Sequence, residues 1–380
     1  MQTGADHKNA LVLNEAQRLA WLRLIRSENV GPATFRDLLN HCGSAEAALE
    51  ALPALSRKGG KKALRICPPH EAEAELAAHE RHGARLVALG EPDYPPHLRH
   101  IDGPPPLISV IGGKALAEVR TIAIVGARNA SLSGRKLAAQ FSRDLGQDGF
   151  AIASGLARGI DAAAHDAALP NGTTAVFAGG INVLYPPEHG PLLGAIIDSG
   201  GNAISEMPFD WKPRGRDFPR RNRLISGMSL GVIVIEAAKG SGSLHTARFA
   251  LEQNREIFAV PGSPLDPRSE GANNLIRQGA SLVTCASDVL EALEGRLAPE
   301  LPLAPDMAEP GEASPTLFDV EPTDSARQRL TTALGPTPVE IDELIRFTGE
   351  STRTIHILLL ELELAGRLER HAGQRVSLVY

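Results

Sequence analysis

Three glycine- and serine-containing segments, each with a cation, follow strand-like apolar runs at 126–134, 154–161 and 237–243. Glycine lets backbone N–H groups approach an anion, and the amino end of a helix adds about half a positive charge. Together the segments predict a phosphate-binding surface, although glycine at a single strand–helix turn is often purely structural. The candidate binding residues are Gly126, Arg128, Ser154, Gly155, Arg158, Gly159, Lys239, Ser241, Gly242 and Ser243.

An arginine-rich segment, 209–223, is the second candidate. Its part from 212 to 223 holds six basic residues beside one acidic residue, Asp217, and aromatic residues are interleaved along the segment. Single-stranded nucleic acid needs this combination, because cations follow the phosphates while an aromatic face stacks a base for about 1–3 kcal/mol. A solvated basic loop with its aromatic rings in the core is the alternative. The candidate DNA contacts here are Phe218, Arg220, Arg221, Asn222 and Arg223.

A competing hypothesis is an enzyme, a nucleotide or phosphoribosyl hydrolase. Acid–base groups could come from Asp161, His165, Glu206 and Glu236. However, acidic residues at strand ends and helix starts are common, and Asp161 is well placed to cap a helix. The sequence has neither a Walker A pattern nor a GxGxxG followed by a ribose-binding acid. We therefore predict a binding protein without catalytic residues or a cofactor.

Charge is segregated along the chain. The formal net charge is −6, but seven acidic residues and no basic ones lie in 297–325, so the remainder is close to neutral. Only the local field matters to a ligand within a screening length of about 8–10 Å. The three cysteines lack CxxC spacing, which argues against zinc or a disulfide framework. With no signal pattern and no run of about 18 apolar residues, the chain is expected to be cytoplasmic and without a membrane role.

The elements that must position these residues form an α/β core. Seven runs rich in Val, Ile and Ala alternate with helical patterns between 121 and 285, which predicts a mainly parallel sheet of extended Rossmann-like type with helices on both faces. In such a sheet, ligands bind at the carboxyl ends of the strands. The predicted domains are a helical domain (1–90), this core (91–296), an acidic proline-rich linker (297–325) and a C-terminal domain (326–380).

The two flanking domains are small. In the N-terminal one, a short turn at 29–33 separates two helical patterns, as in helix–hairpin–helix and SAM-like bundles, whose DNA-binding versions contact a phosphate with hairpin amides. The C-terminal one shows three helices and a hairpin, a winged helix. Its third helix carries Arg353 and His356 but also Glu361 and Glu363, whereas a helix that reads a DNA groove should present a basic stripe. This domain is therefore expected to bind protein, or nucleic acid only weakly.

With these residues in view, the chain resembles the DprA/Smf family, the DNA-processing proteins of bacterial natural transformation. The resemblance extends from about 94 to 288, and more loosely over both flanking domains. It rests on the strings IAIVGARNASLSG, SGLARGIDAAAHDAAL, FPRRNRLISGMS, SGSLHTARFALEQNREIFAVPG and GANNLIRQGA. Ala127, His245 and the segment 179–182 depart from the usual family pattern and leave the exact pocket contacts open.

The resemblance implies more than the residues do alone. It implies a homodimer that binds single-stranded DNA, without strong sequence preference, and loads a RecA-type recombinase onto it. By residue, it places Arg128, the 154–161 loop, Phe218, 221–223 and 241–243 in the DNA pocket.

Overall fold

The computed structural model describes residues 12–61, 63–113, 116–294, 322–371 and 373–379, and these divide into two compact units, one within 77–294 and the other formed by 12–76 with 322–379. The strands are β1 (Arg85–Ala88), β2 (Leu107–Gly112), β3 (Thr121–Gly126), β4 (Ala151–Ser154), β5 (Thr173–Val176), β6 (Asn202–Ser205), β7 (Gly231–Ile235), β8 (Glu256–Ala259), β9 (Ser281–Leu282), β10 (Val339–Glu340), β11 (Leu368–His371) and β12 (Arg375–Leu378). The helices are α1 (Glu15–Arg26), α2 (Pro32–Cys42), α3 (Ala45–Lys58), α4 (Pro69–Arg81), α5 (Leu132–Gln147), α6 (Ile160–Ala168), α7 (Gly190–Asp198), α8 (Asp217–Gly227), α9 (Gly242–Glu252), α10 (Glu270–Arg277), α11 (Ala286–Leu293), α12 (Asp324–Ala333), α13 (Ile341–Thr348) and α14 (Thr352–Leu364).

One large sheet organises the first unit, in the order β1-β2-β6-β5-β4-β3-β7-β8-β9. The strands from β6 to β9 are parallel, and β1 and β2 add an antiparallel edge. This confirms the predicted extended Rossmann-like α/β class and all seven predicted strands. Strands β1 and β2 were not predicted, because they are short runs that flank the proline-rich segment 92–106.

The central strands are buried on both faces, which explains their Val, Ile and Ala content. One core packs β3, β4 and β7 against α5 and α6, and a second lies around β5, β6 and α7. Because α5, α6 and α9 begin directly after parallel strands, their amino ends gather at one edge of the sheet, the carboxyl edge. The three predicted loops therefore meet there.

The arginine-rich segment, for which no element was predicted, contains helix α8. Successive residues of a helix are rotated by about 100°, so neighbouring cations must point in different directions. The Arg220 side chain is 47% exposed, whereas Arg221 is buried and the Arg223 side chain is only 13% exposed. The segment is therefore not a continuous basic surface.

The second unit combines the predicted helical domain and winged helix. Helices α1 to α3 form the helical part, and α2 begins at the predicted turn and ends at Gly43, whose φ is 84°. Helices α12 to α14 and the sheet β10-β12-β11 form the winged helix. The Ser351 side chain accepts from the Thr354 N–H, as predicted for an N-cap.

Most of the predicted acidic linker has no counterpart among the described residues. The predicted linker, 297–325, lies outside the described residues as far as 321. The domain boundaries predicted at 90 and 296 stay predictions. None of the helices described is both long enough and apolar enough to cross a membrane.

Candidate nucleic-acid interface

A pocket at the carboxyl edge combines two exposed cations with two aromatic rings. The Arg128 guanidinium lies 5.6 Å from the centroid of the Phe218 ring, within cation–π range. Tyr185 packs edge-on against the same ring at 5.3 Å and is itself 49% exposed. Arg158 is exposed at the rim, 3.7 Å from the exposed Glu188. The lining residues are Arg128, Gly155, Ala157, Arg158, Tyr185, Pro186, Phe218 and Arg221.

Tyr185 is the aromatic pocket residue that the sequence analysis missed, together with its neighbour Pro186. It lies in the loop after β5, which ends at the same sheet edge as the three predicted loops. The available signal was an aromatic residue in a loop at that edge. This loop has no lysine or arginine, so it does not match the pattern of an anion-binding loop.

Arg221 forms the buried floor of the pocket. Its guanidinium donates to the carbonyl oxygens of Gly155, at 2.8 Å, and Val176. Its Nε donates to Asn222 Oδ1 at 3.2 Å. Burial lowers the pKa of Arg221 to about 10, so the side chain remains charged at neutral pH. These contacts make Arg221 a positioning residue that holds the ends of β4 and β5 together.

Two amides of the loop from 154 to 161 bond to a carboxylate of the same loop. The buried Asp161 carboxylate accepts from the N–H groups of Gly155, at 3.1 Å, and Ala157, at 3.3 Å. Burial raises the pKa of Asp161, while the nearby charge of Arg221 and these hydrogen bonds oppose the rise. The Ser154 hydroxyl donates to the Ile124 carbonyl at 2.6 Å and is also buried. Of this loop's candidates, Arg158 is the one with an exposed charge.

The start of α5 already holds an anion, the carboxylate of Glu236. It accepts from the Ser131 N–H at 2.8 Å and from the Ser131 hydroxyl. A Cβ at Gly134 would lie 2.6 Å from the same carboxylate, so glycine is required for this close approach. The first predicted phosphate site is therefore filled from within the fold, and Arg128 remains exposed beside it.

The start of α9 matches the predicted anion site best. Lys239 is exposed, and Ser241 accepts from the Ser243 N–H at 3.4 Å. Asn222 reaches this loop from α8, where its amide donates to the Gly242 carbonyl at 3.1 Å. Among the described residues, no carboxylate hydrogen-bonds to 239–243. This helix start is therefore open to a phosphate beside a free cation.

Arg220 and Arg223 converge on Glu206, whose side chain is 4% exposed. The Arg220 Nε lies 3.0 Å from Glu206 Oε1, and Arg223 binds the other oxygen. Arg223 also donates to the Gly103 carbonyl at 3.0 Å. Arg223 is therefore occupied by the fold, whereas the exposed part of Arg220 faces solvent.

Two predicted glycines permit close packing of the loops instead of binding an anion directly. A Cβ at Gly126 would lie 1.8 Å from the Ile235 carbonyl oxygen. At Gly159, where φ is +81°, a Cβ would lie 2.2 Å from the Ala127 carbonyl oxygen. These approaches bring the ends of β3, β4 and β7 together at the pocket.

Gly159→Ala should therefore destabilise the protein. The positive φ alone costs an L-residue about 1–3 kcal/mol, and the contact with Ala127 adds to it. We expect the free energy of unfolding, measured by urea denaturation, to fall by at least that amount. Gly194→Ala is the control, because its Cβ enters open space on α7 and should be neutral or slightly stabilising. Equal stability of the two variants would contradict the prediction.

The acid–base groups of the enzyme hypothesis are all engaged in the fold. Glu206 pairs with arginines, Glu236 holds the start of α5, and Asp161 binds loop amides. His165 Nδ1 lies 2.7 Å from the Thr173 hydroxyl, and burial lowers its pKa to about 3. None of the four lines the pocket. This arrangement favours binding over hydrolysis.

The other aromatic residues of the arginine-rich segment are less available for stacking. Phe209 packs between His79, at 5.1 Å, and His82, at 5.7 Å. The indole N–H of Trp211 donates to Asp217 at 2.9 Å, and Arg214 covers its ring. Phe218 is thus the residue of the three that contributes to the pocket.

Comparison with known proteins gives the same fold and a family. Family models match 85–294 (DNA recombination-mediator protein A), 15–78 (DprA-like N-terminal HHH domain) and 313–374 (DprA winged helix domain). Protein Smf of Escherichia coli is 39% identical over 313 residues, which cover 82% of each chain.

Two solved structures agree with these matches. DNA processing protein A from Streptococcus pneumoniae is 33% identical, with a TM-score of 0.59 over 73% of this chain and 96% of that one. The Helicobacter pylori protein is 26% identical, with a TM-score of 0.51 over 56% and 96%, and is described as having a unique single-stranded DNA binding mode.

Proposed function

Because the chain belongs to the DNA recombination-mediator protein A family, we propose that it binds single-stranded DNA in the pocket at the carboxyl edge of its sheet. The strand would place phosphates against Arg128 and Arg158 and against the open start of α9. Arg220 lies on α8, between these positions in the chain, and would add a further cation. A role in DNA processing agrees with the family and with the relatives above.

The observation that carries the proposal is the cluster in which Arg128 and Tyr185 both contact the Phe218 ring. A cation and two ring faces in one pocket can hold a phosphate and a base of the same nucleotide. Guanidinium groups neutralise any phosphate and rings stack any base, so the binding should be largely independent of sequence. Such an arrangement has no need of a cofactor or metal.

Removing either exposed cation of the pocket should weaken the binding of single strands. We expect Arg128→Ala and Arg158→Ala each to flatten the dependence of log K on log salt by about 0.7, the value for one phosphate contact on a single strand. The measurement is fluorescence anisotropy of a labelled oligo-dT of about 20 nucleotides over a salt series, with duplex of equal length beside it.

Arg143→Ala is the matched control for these variants. Arg143 is exposed on α5 near its carboxyl end, which lies at the opposite edge of the sheet from the pocket. It removes the same charge and should leave the salt slope unchanged. If all three variants behaved alike, or if the protein did not bind oligo-dT at low salt, the proposed site would be wrong.

We also propose that the protein acts as a homodimer and loads a RecA-type recombinase onto the bound strand. The family's description as a recombination mediator supports this role. The test is the DNA-dependent ATPase activity of a RecA-type recombinase on single strands coated with a single-strand binding protein. The wild-type chain should accelerate the start of that activity, and Arg128→Ala should do so less. No acceleration by a chain that binds DNA would contradict loading while leaving DNA binding intact.

A further inference from the structure

Helix α14, the third helix of the winged helix, is buried on two faces. One face, which includes Ile355, Leu358 and Leu362, belongs to the winged-helix core. A second face carries Leu360 and Leu364, which are 1% and 0% exposed and lie outside that core. A helix that is apolar on two sides must be covered on both.

The second face is covered by the N-terminal helical domain, against which α14 packs through α2 and α3. The contact is close, because a Cβ at Gly59 would lie 1.9 Å from the carbonyl oxygen of Glu361. The Gly59 residue follows α3 and has an ordinary φ of −71°, so space rather than backbone conformation requires glycine there. The two backbones therefore touch at this point.

Polar contacts fix the same interface. The Arg370 guanidinium lies 2.6 Å from Asp37 of α2 and 2.9 Å from Glu363 of α14. All three side chains are largely buried, so these pairs are more specific than surface ion pairs. Arg367 donates to the Gly59 carbonyl at 3.3 Å. The interface thus combines apolar burial with directed hydrogen bonds.

The turn between α1 and α2 also faces the winged helix. The Asn29 side chain donates to the carbonyl of Leu364, the last residue of α14, at 2.9 Å. The Glu28 N–H donates to the Arg65 carbonyl, and the Val30 N–H to the Ser27 carbonyl. The hairpin that would hold a phosphate in a DNA-binding helix–hairpin–helix is therefore engaged by protein groups.

The covered face of α14 has the wrong chemistry for a DNA groove. Its buried positions Ile357, Leu360 and Leu364 are apolar, and Glu361 beside them is held by Arg327 through two contacts of 2.9 Å. A groove-reading helix presents cations and hydrogen-bonding side chains to base edges. Exposing this face would offer DNA an apolar and acidic surface.

We propose that this face of α14 is the docking surface of the N-terminal helical domain, and that the hairpin and the third helix bind each other in place of DNA. The N-terminal helical domain and the winged helix thereby form one module, which does not read duplex DNA. Single-stranded DNA binding by the sheet unit is a separate property and does not depend on this contact.

Gly59→Ala tests the proposal, since its Cβ has no room against the Glu361 backbone. Hydrogen exchange of the full chain should show protection falling together, by about tenfold or more, in α14 and in α2–α3. Asp37→Asn, which removes the ion pair without changing size, should give the same pattern with a smaller loss and serves if Gly59→Ala does not fold. Gly335→Ala, whose Cβ enters open space in the winged helix, is the control.

Duplex DNA binding by the same variants distinguishes a helix that only binds the N-terminal domain from a DNA-reading helix that this domain covers. A contact that merely hides a DNA-reading helix would release it, and duplex affinity would rise in Gly59→Ala. The proposal expects unchanged duplex affinity and unchanged oligo-dT affinity. A rise in duplex affinity, or loss of protection in one of the two regions alone, would overturn it.

Discussion

Arg221→Met is expected to lower the free energy of unfolding by about 3–5 kcal/mol and to remove single-stranded DNA binding with it. The loss follows from the position of the side chain beneath the pocket, where it holds the Gly155 and Val176 carbonyls. Methionine fills a similar volume but donates no hydrogen bond, so two carbonyls lose their charged donor.

The loop above Arg221 is held by direct contact with the guanidinium. A Cβ at Gly155 would lie 2.6 Å from the guanidinium, so the loop backbone rests directly on that group. The same loop presents Arg158 to the pocket, and its amides bind Asp161. Removing the guanidinium should therefore displace the pocket wall as well as destabilise the fold.

The loss of stability should depend on pH through Asp161. Burial raises the pKa of this carboxyl above its ordinary 3.8, and the Arg221 charge limits the rise. In Arg221→Met the pKa should rise further, so the folded state binds the proton more tightly than the unfolded state does. Stability of the variant relative to wild type should then fall as pH increases through the raised pKa of Asp161.

Arg128→Met is the control for this variant. It removes the same charge from the same pocket, but Arg128 is exposed and its contact is with the Phe218 ring. It should weaken DNA binding while changing the denaturation midpoint little at any pH. If Arg221→Met unfolded like wild type and lost only DNA affinity, Arg221 would contact the strand directly and its positioning role would be wrong.

The sequence predicted those elements whose patterns are long and regular. Strands β3 to β9 each have an apolar run followed by a helix, and burial on both faces makes that pattern clearest in β3 to β7. The antiparallel strands β1 and β2 escaped prediction because both are short runs on either side of the proline-rich segment 92–106, and no α-helix follows either of them before the next strand. Helix α8 was hidden by its high content of arginine and by Pro219.

The position of the site could be predicted from the sequence, but the role of each residue in it could not. Loop composition located the sheet edge, yet it could not tell that Glu236 and Asp161 occupy two of the three expected anion sites. Nor could spacing show that Arg221 points inward, since that depends on the rotation of α8 against β4 and β5. Residue types predict which chemistry is possible, whereas tertiary packing decides which groups remain free for a ligand.

Glu206→Gln should lower the free energy of unfolding and make DNA binding depend more steeply on salt. Glu206 is the buried partner of both Arg220 and Arg223, and the Arg223 guanidinium is itself largely buried. Breaking a buried pair by neutralising one partner costs about 3–5 kcal/mol, because the other charge is left without compensation. The introduced amide would still accept a hydrogen bond from one arginine, which places the expected loss at the lower end of that range.

The same substitution frees Arg220 for a phosphate. The slope of log K against log salt for oligo-dT should therefore become steeper by about 0.7. For stability, Glu188→Gln is the matched control, because it removes one carboxylate from the exposed pair with Arg158 and should change the free energy of unfolding by less than about 1 kcal/mol. A fall in stability without a steeper slope would place Arg220 outside the DNA path. An unchanged stability would mean that the Glu206 pairs contribute little to the fold, because they recover only the cost of burying their own charges.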